Sequence, residues 1–348
     1  MNNLPESKYL PIEKLAGIFN NTSATYKFYW FLAIIDSVEK GKTEIEKEEL
    51  FIKMLGIPWY TVNYFNISFG SQDLIQRAVK QIILLARIPI NEKQHKIFQA
   101  LKATSNPQIK SLVFHFDKNV PHWFLSPWYS RHSKKEIYRR SANFENNTIY
   151  ALEKEKIIIN PKWTSYLKKH SKLLKDYTYW NLTLFLQTRN PNVPDIPNKL
   201  IRPAKRNSLQ KQRNSFWNKY LEYKTASCIF TGKPISKNDY ALDHFVPYAF
   251  VSHDLIWNLI PIDSSFNSSK NNKLPPLERY FNDFYELQKD AFLTLSRAGE
   301  IKKYKEDYLT IFPNLENETG FEKEKFRNAI SPLITIANNN GFEFLDYD

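Results

Sequence analysis

The stretch from Cys228 to Pro275 gathers the side chains whose types and spacing could do chemistry. Asp243 and Asn267 offer hard oxygen ligands of the kind that suit one Mg²⁺ or Mn²⁺ ion. His244 adjoins Asp243 but points the other way on an extended strand, because successive side chains alternate faces. It could therefore act on a water beside the ion without ligating the ion. An imidazole that titrates near neutrality suits a general base for that water. Asn258 falls in the loop between two β-prone runs, where its amide could tie the backbone and hold the histidine in place. Lys270 is placed to reach a scissile phosphate or its developing charge, and Asn271 is a fallback ligand for Asn267. The chemistry this set suggests is metal-dependent hydrolysis of a phosphodiester: in-line attack by water, leaving 5′-phosphate and 3′-hydroxyl ends.

Asp243-His244, Asn258 and Asn267 stand 14 and then 9 residues apart, within the wider pattern DHFVP…WNL…FNSSKNNKLP. This constellation resembles the HNH endonucleases of the His-Me finger, or ββα-metal, group. It looks most like the subclass that includes the HNH domain of RNA-guided CRISPR effector nucleases. The resemblance covers roughly residues 225–280. It implies that Asp243 and Asn267 hold the metal, that His244 is the general base and that Asn258 is structural. Many relatives carry two CxxC pairs around a structural zinc, whereas Cys228 is the single cysteine here. No structural zinc is expected, and Phe230, Phe245, Trp257 and Leu259 become the candidates for packing the finger instead. The whole chain also has the look of bacterial HNH-domain proteins suspected of roles in restriction or phage defence.

Bland roles compete at several positions. Asn267 could cap a following helix. Ser252-His253-Asp254 has the composition of a triad, but sequence neighbours do not easily converge as nucleophile, base and orienter, so His253 reads as a loop residue. Cys228 reads as a small buried hydrophobe. His115, His122, His132 and His170 show no ligand spacing and read as structural or surface groups.

The elements around this segment follow from periodicity. Apolar spacing predicts helices over 22–40, 44–55, from Ser71 onward, and around 92–103, followed by aromatic pieces that include HWFLSPWY (122–129). NTIYALEKEKIIIN (147–160) reads as a hairpin, and Pro161 opens two further helices. A Pro/Asn-rich connector spans 189–205, and the helical SFWNKYLEY (215–223) follows. In the finger, two short strands flank a turn-rich loop. A polar Ser/Asn-rich segment then opens into the helix PLERYFNDFYELQKDAFLTLSRAG. The expected fold class is α-rich α+β. Its parts are a mainly helical specificity or regulatory domain (1–190), a basic linker and helix (191–224), the ββα-metal nuclease domain (225–298) and a helical C-terminal tail (299–348).

Composition narrows the partners. The 348 residues include 49 Lys and Arg against 36 Asp and Glu, a net charge of +13, and 42% are hydrophobic. A disordered chain is excluded, and so are Gly-rich phosphate loops, because GxGxxG and GxxxxGK[ST] are both absent. The surplus charge points to a polyanion, with DNA, in duplex form, as the expected partner and no membrane. Lys205, Arg206, Lys211 and Arg213 lie in a basic run suited to tracking phosphates. The single cysteine and the lack of a signal-like start suggest a reducing cytoplasm, and the abundant Lys and Asn fit an AT-rich bacterial genome. A homodimer is compatible with a finger that cuts one strand per engagement. The rival expectations are a nucleic-acid-binding or sensing protein whose finger is vestigial, and an RNase.

Overall fold

The structure is a computed structural model that describes residues 4–201, 208–237, 239–315 and 320–346. The chain is α-rich with small antiparallel sheets, and it divides into two compact units: Met1–Pro191 with Lys199–Arg202, and Asn192–Asn198 with Pro203–Asp348. Among the described residues no helix is long and apolar enough to cross a membrane.

The first unit is organised around the helix Tyr26–Glu39, which buries Phe28 through Ile35 without interruption. A helix that is apolar on all sides has to sit inside. Here the helices Lys47–Gly56, Val120–Phe124, Pro161–Lys169 and Ser171–Gln187 surround it. Asp73 joins two helix starts. One of its oxygens accepts from Ile75 N as the N-cap of Leu74–Ala86, and the other accepts from both Thr25 N and Thr25 Oγ1 just before Tyr26. Burial pushes the Asp73 carboxyl up, while these hydrogen bonds pull it back down.

The segment 147–160 forms the expected hairpin, β2 (Tyr150–Leu152) with β3 (Lys156–Ile159). A third strand, β1 (Glu44–Glu46), pairs antiparallel with β3. The stretch 44–55 thus begins as a strand and becomes helical only from Lys47. Ile45 is buried between exposed glutamates, a period-2 pattern too short to stand out beside the helix that follows. Trp30 Nε1 donates to Tyr150 Oη at 3.0 Å, which in turn donates to Pro121 O, so the central helix, the sheet and a third segment are joined.

The second unit holds two short antiparallel pairs: β4 (Ala226–Ser227) with β5 (Pro234–Ile235), and β6 (Ala241–His244) with β7 (Leu259–Ile262). The polar segment after β7 is itself a helix, Ser264–Lys270, rather than an irregular lead into the next one. Its Ser and Asn residues favour caps and turns in isolation, but Asp263 caps the first turn by accepting from Ser265 N at 3.0 Å. The long helix Leu277–Arg297 follows, and its Phe284 ring lies flat on Phe245, with centroids 3.8 Å apart. The described residues after 299 fold onto the same unit. Phe326, in the helix Lys323–Asn339, packs on Phe281 and Phe284. Leu274 N–H donates to Glu343 O, and Leu345 N–H to Leu274 O.

Candidate active site

β6 and β7 run antiparallel with Asp243 opposite Ile260 and His244 opposite Leu259. The pleat turns neighbouring side chains to opposite faces, so the carboxylate and the imidazole serve different sides of the same strand. On one side, Lys270 reaches back from the last turn of Ser264–Lys270. Its ammonium donates to Asp243 Oδ2 at 2.8 Å and to His244 O at 2.7 Å, and its side chain is fully buried. Lys270 therefore points into the finger, not outward to a phosphate as its sequence position suggested. A buried ammonium needs an opposing charge and acceptors, and strand β6 supplies both.

On the other side, His244 is also fully buried, with Nε2 2.9 Å from Asp254 Oδ1 and the Tyr248 ring 5.4 Å away. Asn258 is buried at the end of the intervening loop. Its Oδ1 accepts from Val246 N and its Nδ2 donates to Val246 O, both at 2.8 Å, while Phe245 N–H donates to Asn258 O. Asn258 thus clamps the two residues that follow His244, Val246 through its side chain and Phe245 through its main-chain carbonyl. Asn267 lies three positions before Lys270 on the same helix, which places both on one face. It is within the helix rather than at its N-cap, which is Asp263. Asn271 ends the helix with φ 44°.

Residues 228–276, the segment holding all of these groups, match the family model described as HNH endonuclease. That segment is an HNH domain. No curated protein and no solved structure matches the chain. Enzymes with HNH domains are nucleases that act on nucleic acid, generally with a divalent metal ion.

The donors of this HNH domain fit a hard ion. Asp243 keeps 15% of its side chain exposed, and Asn267 offers an amide oxygen from the neighbouring helix. Among the described residues no group of three or more His, Cys, Asp or Glu side chains could hold a metal ion. A carboxylate and an amide oxygen are donor types that hard divalent ions accept alongside water and phosphate oxygens. Cys228 is buried and free.

The basic run is only partly visible: Lys205 and Arg206 lie outside the described residues. Lys211 is exposed. Arg213 lies over the ring of Tyr240, 4.3 Å from its centre, immediately before β6. That contact sets a cation beside the strand that carries Asp243. Burial pushes the Tyr240 hydroxyl up to about 12.

Sequence reasoning missed Asp254 in the HNH domain, having set it aside with Ser252 and His253. The available signal was an acidic residue in the His–Asn loop, ten positions beyond His244. The loop around it is pinned from the C-terminal side. Asp307 Oδ2 accepts from Ile256 N at 2.8 Å, Trp257 Nε1 donates to Thr310 Oγ1, and Gln288 Nε2 donates to Leu259 O. Gln288 is itself held by Tyr308 Oη at 2.6 Å. Burial raises the Asp307 carboxyl, against the lowering effect of the Ile256 N–H.

Proposed function

We propose that this chain is a metal-dependent DNA endonuclease. The supporting observation is that Asp243 and His244 occupy opposite faces of β6 while Lys270 ties that strand to the helix carrying Asn267. Asp243 and Asn267 would hold Mg²⁺ or Mn²⁺, which supplies charge neutralisation at the phosphate. His244 takes a proton from water, and the water oxygen bonds to phosphorus as the bond from phosphorus to the 3′ oxygen breaks. The leaving oxygen takes a proton from solvent, giving 5′-phosphate and 3′-hydroxyl ends. Asn258 keeps the turn after His244 in register, and Lys270 holds the Asp243 carboxylate. Lys211 and Arg213, with Lys205 and Arg206, track the phosphates.

The biological setting we favour is bacterial restriction or phage defence. The resemblance to CRISPR-effector HNH domains supports this reading, as does a first unit far larger than a finger needs for support. The test is incubation of supercoiled plasmid, phage DNA and RNA with Mg²⁺ or Mn²⁺, with and without EDTA. Metal-dependent nicking of DNA is the expected result. Cutting of RNA alone would replace DNA as the substrate.

One observation favours a second reading, a finger that binds nucleic acid without cutting it. The His244 ring is fully covered and one Asp243 oxygen already carries a cation. Under that reading, DNA binds and no condition yields metal-dependent products.

A further inference from the structure

We infer that Asp254 is the positioning residue for His244, fixing which ring nitrogen is basic; this inference rests on the nuclease reading above. A carboxylate can only accept, so the contact of 2.9 Å from Asp254 Oδ1 to His244 Nε2 puts the ring proton on Nε2. In the neutral ring the lone pair then belongs to Nδ1. A proton taken from water therefore goes to Nδ1, while Nε2–H stays on the carboxylate and faces an opposing charge as the imidazolium forms.

The loop is built to hold the aspartate there. Ser252 turns the chain with φ 58° directly after the helix Tyr248–Val251, reversing it so that Asp254 comes back beside the strand it left. From Ile256 onward the backbone is fastened by Asp307, Gln288 and the Asn258 clamp. Asp254 itself keeps 19% of its side chain exposed, so one face of the pair meets solvent while the ring lies beneath. His253 Nδ1 accepts from Leu255 N, and its ring stacks edgewise on Trp257.

The experiment compares Asp254→Asn, Asp254→Glu and the wild type as full-length chains, each first shown to be folded by its melting curve. Asp254→Asn is nearly isosteric but can present an N–H to Nε2, which favours the wrong tautomer. The expected loss in kcat is about 10²–10⁴-fold, with KM and DNA affinity within a few-fold. Asp254→Glu keeps the acceptor and should recover at least a tenth of the rate. In parallel, ¹⁵N spectra of histidine-labelled protein near pH 8, where a free imidazole is neutral, read the His244 tautomer, with His244→Ala assigning the signal. Nε2–H in the wild type and a shift toward Nδ1–H in Asp254→Asn are expected. Nδ1–H in the wild type, or Asp254→Asn cutting at wild-type kcat, overturns the inference. If the wild type cuts no substrate, the nuclease reading fails, and the spectra still decide whether Asp254 sets the tautomer.

Discussion

Lys270 and Asp243 form a buried ion pair at 2.8 Å across 27 residues of sequence, linking the last turn of a short polar helix to the strand that carries the histidine. The same ammonium caps the His244 carbonyl. One side chain thus joins helix to strand.

Lys270→Met removes that link and leaves the carboxylate uncompensated. Breaking a fully buried pair costs about 3–5 kcal/mol, and the partial exposure of Asp243 lowers this to roughly 2–3 kcal/mol. Denaturant melts of Lys270→Met, Asp243→Asn and the double variant form a cycle. The double variant should be less destabilised than the sum of the single ones. Strict additivity would mean the pair contributes nothing.

Asn258→Ala should destabilise the second unit by about 2–4 kcal/mol, because it strands the buried N–H and C=O of Val246 together. Asn258→Asp keeps the acceptor but sets a carboxylate against the Val246 carbonyl, so it should be no better than alanine. A melting curve within 0.5 kcal/mol of wild type, roughly the scatter of ordinary surface substitutions, would show that the clamp is dispensable.

His244→Ala should lower the cleavage rate by roughly 10²–10⁴-fold while DNA affinity stays within a few-fold. Asp243→Ala and Asn267→Ala should instead raise the Mg²⁺ or Mn²⁺ concentration needed for half-maximal activity. An unchanged metal titration in Asn267→Ala would transfer the ligand role to Asn271.

Binding should weaken steeply with salt, since Lys and Arg displace condensed counterions. Neutralising Lys205, Arg206, Lys211 and Arg213 together should flatten the plot of log K against log[salt] by up to about 4 in slope. A slope equal to that of the wild type would put the phosphate-tracking surface elsewhere.

The first unit should lose stability in mild acid through His122. Burial first, and the Lys134 charge second, hold this imidazole down at about 4, and its buried Nδ1 has no hydrogen-bond partner among the described residues. The unfolded chain takes up the proton below about 6.5 while the folded chain does not. The contribution of the neutral ring is therefore complete above that value and erodes as pH falls from 6.5 toward 4. His122→Phe should flatten the dependence of the melting temperature on pH in this window; an unaltered profile assigns it to other groups.

By itself the sequence determined what is local. The order and spacing of Asp243, His244, Asn258 and Asn267 mark the HNH segment. Apolar periodicity marks the helices Tyr26–Glu39, Lys47–Gly56, Leu74–Ala86 and Gln94–Ala103, and the apolar runs on either side of a polar turn mark the 147–160 hairpin, because hydrogen bonds within a few residues follow from the residues present. Tertiary structure decided what depends on distant partners. The polar Ser/Asn-rich segment Ser264–Lys270 is itself a helix, fastened by a cap and a buried ion pair. Lys270 turns inward because a strand 27 residues away offers it a carboxylate and a carbonyl. Asp254 leaves its neighbours Ser252 and His253 for His244 because the loop reverses at Ser252 and is anchored by Asp307 and Gln288. The described residues after 299 fold onto the finger because Leu274 needs backbone partners and Phe281 and Phe284 need a cover. Such pairings link residues tens of positions apart, and no local periodicity encodes them.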